Sequence, residues 1–197
     1  MATLAFICDN RTMSTEKTAT RNSADDKMTN DNIILDIRAA AEADVPLILS
    51  FIRKLAEYGD ISDEVAATED DIRAALFGQH PVAAAVLAVI GNEPAGFAIY
   101  SYTFSSFLGR PGMFVEDLYV ENAYRSRGVG KALLVHLAKL AQERSCGRLE
   151  WAVLNWNERA MEFYQDLGAE PMDEWTTFRL GGEALERLAS EQQPVQK

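Results

Sequence analysis

Cysteine and histidine are scarce in this chain, which contains two of each in 197 residues. Cys8 and Cys146 cannot form a disulfide framework or a zinc cluster, and His80 and His136 cannot make a histidine metal site. A Ser/His/Asp triad would need one of these histidines beside an activated serine. We therefore expect no metal and assign neither histidine a role.

Long apolar runs are also missing. No stretch approaches the about 20 residues that a membrane-spanning helix needs. Residues 4–8 are too short for the core of a signal peptide, and they lack a basic segment before them. We therefore predict a cytoplasmic protein that has no membrane partner.

Positive charge is in deficit, because 19 Lys and Arg face 30 Asp and Glu, which gives a formal net charge of -11. This balance argues against nucleic acid or an anionic membrane as the main partner, and it favours cationic substrates. What the chain does contain is a large apolar fraction, 48%, which indicates a folded globular protein. Its length suits one domain with a sizeable core.

Three regions differ in composition. Residues 1–32 are rich in Thr, Asn, Asp and Ser and predict a disordered tail, in which Met13 and Met28 are alternative start positions. Residues 33–189 carry the periodic apolar pattern of a single folded domain. Residues 190–197 form a polar tail.

Apolar periodicity predicts a strand, two helices, an antiparallel hairpin, and then alternating strands and helices. Asp44 and Gly59 should cap the first helix, and Thr68 with Asp71 should form a capping box at the second. A loop is expected at residues 103–112. The predicted strands are 33–38, 82–90, 95–102, 113–120, 149–154 and 175–180, and the predicted helices are 45–58, 69–77, 132–144, 157–167 and 183–188. This order gives an α/β fold, with helices on the faces of a mixed sheet.

Residues 113–131 are predicted to form a buried strand, a glycine loop and the start of a helix. The first turn of a helix has backbone N–H groups without intrahelical partners and carries the positive end of the helix dipole. Gly128 and Gly130 would let a phosphate approach these groups, and Arg125, Arg127 and Lys131 add positive charge. We therefore expect a pyrophosphate here; the alternative is an ordinary strand-to-helix turn.

The spacing of this loop excludes two familiar phosphate sites. A P-loop would need Gly in place of Arg125 and Ser or Thr in place of Ala132, and a dinucleotide fingerprint would need a third glycine. The segment Arg-Ser-Arg-Gly-Val-Gly at residues 125–130 instead resembles the Q/R-x-x-G-x-G/A segment of the GNAT acetyltransferases. The resemblance implies that acetyl-CoA is a co-substrate and that the loop binds its pyrophosphate through Arg125, Ser126, Arg127, Gly128, Val129, Gly130 and Lys131.

Two further segments resemble the same superfamily. Residues 154–169 are similar to the W-N-x-x-x-x-x-F-Y-x-x-x-G-A block of polyamine acetyltransferases, and residues 114–118 look like the L/V-E-D segment of the spermidine/spermine and thialysine acetyltransferase group. The resemblance implies a GNAT fold, with a mixed, mostly antiparallel central sheet flanked by helices on both faces and splayed between its fourth and fifth strands. It also implies a homodimer, with the C-terminal strand near the interface.

The resemblance implies residue roles as well. An alkylammonium has a pKa of about 10.4, so the substrate amine must lose a proton before it attacks the thioester. Glu116 would attract the ammonium and accept its proton through water, and Tyr164 would donate a proton to the departing thiolate. A backbone N–H of Leu118, Tyr119 or Val120, freed from the sheet by a β-bulge, would stabilise the oxyanion. Asn157 and Tyr164 would contact the cofactor, and the substrate-binding candidates are Tyr58, Asp60, Glu116, Asp117, Glu174 and Trp175.

Each of these side chains also has a purely structural alternative. Glu116 could pair with a basic residue, and Tyr164 shares a helical face with other apolar residues and could belong to the core. Asn157 could cap a helix, Trp175 could pack in the core, and Glu174 could be a solvated loop residue. In an undistorted strand Asp117 would point away from Glu116, so the two carboxylates could serve different roles.

One position departs from the family pattern. An aromatic residue followed by Glu is common at the end of the first helix; here Gly59 follows Tyr58, and Asp60 could compensate from the next position. We expect an N-acetyltransferase that acts on a primary amine of a small cationic substrate, namely a diamine, a polyamine or a thialysine-like amino acid. Transfer should be direct, in a ternary complex, because no cysteine near the motifs could form an acetyl-enzyme. The alternatives are acetylation of protein lysines or N-termini, and an acyl-CoA-binding regulatory module without turnover.

Overall fold

A mixed sheet of six strands organises the first of the two units into which the chain divides, Met1–Phe163; the second unit is Tyr164–Lys197. The computed structural model describes Leu4–Ala5 and residues 34–191. The two predicted tails therefore lie almost entirely outside the described residues. Leu4–Ala5 form a strand, which the prediction of disorder did not anticipate.

Six strands build the sheet: β1 (Leu4–Ala5), β2 (Leu35–Ala39), β3 (Ala84–Ile90), β4 (Glu93–Ser105), β5 (Arg110–Val120) and β6 (Leu149–Trp151). They lie in the order β1, β5, β4, β3, β2, and β6 also pairs with β5. Neighbours from β2 to β5 are antiparallel, whereas β1 and β6 run parallel to β5. The predicted mixed, mostly antiparallel sheet is therefore confirmed.

The α-helices of the described residues are α1 (Val45–Tyr58), α2 (Glu69–Phe77), α3 (Val129–Glu143), α4 (Glu158–Asp166) and α5 (Gly182–Ser190). α1 and α2 pack on one face of the sheet, where Phe51 of α1 stacks on Phe97 of β4 with ring centroids 5.3 Å apart. Leu87 of β3 belongs to this cluster. Its neighbours Val86 and Ala88 are also buried and point to the opposite face, because strand side chains alternate. α3 contacts the sheet, and its buried residues Leu133 and Leu137 do not belong to the cluster beneath α1 and α2, so the prediction of helices on both faces is confirmed.

The first turns of α1 and α2 differ from each other in how they are capped. Thr68 and Asp71 form the predicted capping box at α2. Asp44 occupies the N-cap position of α1, but its side chain makes no capping hydrogen bond, so the predicted side-chain cap is wrong. Its carboxylate accepts two hydrogen bonds from Arg38, at 2.6 and 2.8 Å, and one from the N–H of Ala41 at 2.7 Å. These contacts occupy both carboxylate oxygens and hold Asp44 against the end of β2.

The end of α1 falls at the predicted residue but with a different geometry. Gly59 follows the helix and keeps a right-handed backbone conformation. Asp60 instead takes the left-handed conformation, with a φ of 55°. Asp60, a residue that tolerates this region better than most, therefore makes the turn that glycine was expected to make.

Several predicted boundaries are wrong. The loop predicted at residues 103–112 is mostly strand, because β4 continues to Ser105 and β5 begins at Arg110. The strand predicted at 149–154 shrinks to the three residues of β6. Residues 175–180 form no strand within the described part of the chain. Aromatic and β-branched composition favours a strand only where an edge is available for pairing.

Candidate active site

A β-bulge lies in β5 at Glu116, the residue predicted to accept the proton of the substrate amine. Tyr100 of β4 pairs with Val115 and Ile99 pairs with Asp117, so Glu116 is an extra residue in β5. A bulge locally disrupts the ladder and bends the strand. The expectation that Glu116 and Asp117 point to opposite faces assumed an undistorted strand, and that assumption is wrong here.

The carboxyl group of Asp117 is perturbed by its surroundings. Burial away from water raises its pKa to about 7, and the negative charge of Glu116 contributes to the rise. An ordinary aspartate has a pKa of about 3.9 and is fully ionised at neutral pH. Asp117 can therefore hold or accept a proton near pH 7, which the sequence pattern did not reveal.

The edge of β5 that faces away from β4 changes partner along its length. β6 pairs with this edge only at residues 113–115, and β1 pairs with it at Asp117 and Leu118. At Tyr119 and Val120, none of the described strands pairs with this edge. The predicted splay between the fourth and fifth predicted strands, here β5 and β6, is confirmed. A ligand that paired with the backbone of Leu118 on this edge would compete with β1.

Helix α3 begins at the predicted anion site. Gly128 is its N-cap, with a left-handed φ of 79°, and a Cβ built there would meet no described atom within 4 Å. The helix begins at Val129, three residues before the predicted start, so the N–H groups of Val129, Gly130 and Lys131 lie in its first turn. This turn contains no acidic residue. The segment therefore offers backbone donors and the positive end of a helix dipole to an anion.

The three cations predicted for this loop have different surroundings. Arg127 and Lys131 are exposed, and the guanidinium of Arg127 lies 5.5 Å from the ring centroid of Tyr124. Arg125 is partly buried, and its Nε donates to the carbonyl oxygen of Val120 at 3.0 Å. Arg125 is therefore directed back toward the end of β5.

Arg125 also contacts both a residue predicted to bind the cofactor, Tyr119, and a residue predicted to bind the substrate, Tyr58. Its guanidinium carbon lies 4.9 Å from the ring centroid of Tyr58 and 5.5 Å from that of Tyr119. The ring of Tyr58 in turn contacts Trp156, with centroids 6.1 Å apart. Trp156 was missed as a site residue, although it directly precedes Asn157 in the W-N motif.

A second charged contact at the end of β5 was also missed. Lys54 of α1 forms an ion pair with Oε1 of Glu121, and the hydroxyl of Tyr119 donates to Oε2 of Glu121 at 3.4 Å. Burial, followed by the charge of Glu121, raises the pKa of the Tyr119 phenol, so the phenol stays protonated at neutral pH. The ammonium of Lys54 offsets the negative charge of Glu121.

Asn157 lies at the start of α4 and is buried. Its Oδ1 accepts from the N–H of Ala160 at 3.2 Å, so the predicted structural alternative, a helix cap, is present. Its Nδ2 is buried and donates to no described atom. One half of the amide thus serves the helix, and the other half suits a carbonyl group of a ligand.

The remaining predicted residues lie in different surroundings. Asp60 is exposed in the segment after α1. In the second unit Tyr164 is buried, whereas Glu174 and Trp175 are exposed and belong to no strand of the described chain. Within residues 34–191 there is no group of three His, Cys, Asp or Glu side chains placed to hold a metal ion, and no helix with the length and hydropathy of a membrane span.

The sheet edge at which β6 separates from β5 and the glycine-capped helix α3 define the class of fold. Comparison with known proteins identifies the family. The chain belongs to the acetyltransferase (GNAT) family, whose model matches residues 51–169, and it is an acetyltransferase. It is 38% identical over 164 residues to thialysine N-epsilon-acetyltransferase of Bos taurus, covering 78% of this chain and 96% of that protein.

A second relative and a solved structure agree with this assignment. The chain is 28% identical over 197 residues to L-ornithine N5-acetyltransferase of Arabidopsis thaliana, covering 77% of this chain and 86% of that protein. Its fold matches an integron cassette protein from the mobile metagenome of V. cholerae with a TM-score of 0.68 and 28% identity, covering 80% and 98% of the two chains. The predicted fold, family and subgroup are confirmed.

Proposed function

We propose that this acetyltransferase transfers an acetyl group from acetyl-CoA to a primary amine of a small cationic substrate, namely a diamine, a polyamine or a thialysine-like amino acid. The amine attacks the thioester directly, while both substrates are bound. The observation that carries this proposal is the placement, within one unit, of a bulged and parted edge of β5 and the glycine-capped start of α3.

The residues of the loop and of Asn157 fit acetyl-CoA. The first turn of α3 offers backbone N–H groups to the diphosphate, and Arg127 and Lys131 add positive charge at the same helix start. The buried Nδ2 of Asn157 suits an amide carbonyl of the pantetheine arm. When bound, acetyl-CoA supplies the activated acyl group.

Proton transfer is assigned to side chains of this chain. Glu116, at the bulge, attracts the substrate ammonium and accepts its proton, with Asp117 as a neighbouring carboxyl that can share it. The backbone N–H of Val120, on the part of the edge beyond β1, stabilises the oxygen that gains charge. Tyr164 donates a proton to the departing thiolate, a role that rests on its match to the family's motif.

The names of the relatives support an amine substrate, because thialysine and L-ornithine both carry a primary amine on an amino acid side chain. A homodimer is part of the proposal. It is supported by the exposed apolar side chains of the second unit, which are Met172, Trp175, Phe178, Leu180, Leu185 and Leu188. A cytoplasmic location remains a prediction from the sequence.

Release of free thiol from acetyl-CoA tests the function. We expect release with at least one of putrescine, spermidine, thialysine, ornithine and lysine, and none above background with a lysine peptide. Glu116→Gln should lower kcat by about a hundredfold or more, and Tyr164→Phe should also lower it. Glu93→Gln and Tyr102→Phe make the same chemical changes at exposed positions of β4 and should leave kcat unchanged.

The possible outcomes separate the function from the residue roles. Full activity in both Glu116→Gln and Tyr164→Phe would show that the roles are wrong, even if the wild-type enzyme acetylates amines. No thiol release with any of the five amines would show that the function itself is wrong.

A further inference from the structure

Arg125 is a partly buried cation that forms no ion pair with any carboxylate of the described residues. The carbonyl of Val120 accepts its Nε–H, and the rings of Tyr58 and Tyr119 lie within 4.9 and 5.5 Å of its guanidinium carbon. All three contacts are with uncharged groups. They hold the guanidinium in place without offsetting its charge.

The neighbouring carboxylate does not neutralise Arg125 either. Glu121 is paired with Lys54 and accepts a hydrogen bond from the Tyr119 hydroxyl. The charges of Lys54 and Glu121 therefore largely cancel at the end of β5. A substrate that lies against Tyr58 faces the positive charge of Arg125.

This charge distinguishes between the substrate classes left open above. The second ammonium of a diamine or polyamine would be repelled by the guanidinium, whereas an amino acid carries a carboxylate beside its second ammonium, and this carboxylate would be attracted. The planar guanidinium also matches a carboxylate with two parallel hydrogen bonds. Gly59, where the family commonly has Glu, removes an acidic side chain that could have held a second ammonium beside Tyr58.

We propose that Arg125 binds the α-carboxylate of an amino acid substrate and thereby selects amino acids over diamines of the same length. The proposal rests on the proposed function, because it specifies which primary amines are acetylated. It differs from the role that the loop motif implies for Arg125, which is binding phosphate together with Arg127 and Lys131. The reason is that the Arg125 side chain turns to Val120 and Tyr58.

Two pairs of amines test this assignment, because the members of each pair differ only in the carboxylate. L-Ornithine is compared with putrescine, and L-lysine with cadaverine, by thiol release with the full-length enzyme. We expect kcat/KM to favour each amino acid by about ten- to a hundredfold, the usual effect of a charge-assisted hydrogen-bonded pair. Arg125→Gln should reduce each ratio by about tenfold or more, mainly through KM for the amino acid.

Two further variants distinguish the effect of the Arg125 charge from that of its planar geometry, and carboxylate binding from phosphate binding. Arg125→Lys keeps the charge but loses the planar fork, so it should retain part of the preference. Arg127→Gln makes the same change as Arg125→Gln within the same loop; it should raise KM for acetyl-CoA and leave both substrate ratios unchanged. Arg125→Gln should not change KM for acetyl-CoA.

The results that overturn the assignment are distinct from failure of the proposed function. Wild-type ratios near one would overturn it while amine acetylation itself proceeds. An increase in KM for acetyl-CoA in Arg125→Gln, with both substrate ratios unchanged, would place Arg125 at the phosphate and also overturn it. If none of the four amines released thiol, Arg125 would not select among them and the assignment would be overturned, whereas the proposed function would fail only if spermidine and thialysine also released none.

Discussion

Asp117 sits at the β-bulge beside Glu116, where burial raises its pKa from 3.8 to about 7. Between these two values the folded protein holds a proton that the unfolded chain has already released. Stability must therefore fall as the pH rises through this window, since the proton favours the folded state. Above about pH 7 both states are ionised at this residue, and the loss is complete.

Substitution of Asp117 by Asn should remove this dependence. The free energy of unfolding of the wild type, minus that of Asp117→Asn, should decrease by roughly 1 to 4 kcal/mol between pH 4 and pH 8. Urea denaturation of both proteins across this range measures the difference, in which titrating groups that do not interact with Asp117 cancel. A difference that did not vary with pH would contradict the shifted pKa.

The contribution of the Asp71 carboxyl to stability should change with pH in the opposite direction, so Asp71 serves as a control. Its hydrogen bonds with Thr68 lower the pKa of its carboxyl below 3.8, so it contributes stability above that pH and loses it as the pH falls. The wild type should therefore exceed Asp71→Asn in stability at neutral pH, and the difference should shrink at acid pH. The two carboxyls thus have opposite effects because one is desolvated and the other is hydrogen-bonded.

At the scale of an element, the start of α3 depends on Gly128. Its φ of 79° lies in the left-handed region, which costs an alanine about 1 to 2 kcal/mol. Gly91, in the turn between β3 and β4, has a φ of 62°, and a Cβ there also meets no described atom within 4 Å. The two glycines are therefore matched in backbone conformation and in available space.

Alanine at either glycine should lower the free energy of unfolding by a similar amount, about 1 to 2 kcal/mol. Only Gly128→Ala should raise KM for acetyl-CoA, because its added methyl group lies where the diphosphate would approach the amides of α3. Denaturation curves and thiol-release kinetics on both variants provide the test. If KM for acetyl-CoA were the same in both variants, the diphosphate would not bind at this helix start.

At the scale of the whole molecule, several large apolar side chains of the second unit are exposed. Phe178 is 91% exposed and Trp175 is 70% exposed. Both belong to residues 175–180, whose composition predicts a strand but which pair with no strand of the described chain. Contiguous exposed apolar surface typically marks an interaction site. A second copy of the chain, as the family resemblance implies, would cover it.

Sedimentation equilibrium should therefore give twice the mass of one chain at micromolar concentration. Phe178→Asp should shift the enzyme toward the monomer, because a charge in an apolar interface is costly. Phe107→Asp introduces the same change at a side chain that is 94% exposed, in the turn between β4 and β5, and should leave the dimer intact. A monomeric wild type, or equal behaviour of the two variants, would contradict a dimer through the second unit.

Local features of the fold and of the site were predictable from the sequence, and contacts between distant segments were not. The capping box of Thr68 and Asp71 and the glycine loop before α3 follow from residues within one turn of each other. Asp44 looked like a helix cap, yet it pairs with Arg38, because an ion pair competed for the same oxygens. The family resemblance placed a bulge close to where Glu116 creates one, but only the pairing of β4 with β5 shows which residue is extra.

The sequence by itself determined the order of most elements, the family and the glycine loop before α3, because apolar period, capping residues and the backbone freedom of glycine act over a few residues. Only the tertiary structure decided where β6 leaves β5, how far Asp117 is desolvated and which rings hold Arg125. These properties depend on segments that lie far apart in the chain and meet only when the sheet has formed.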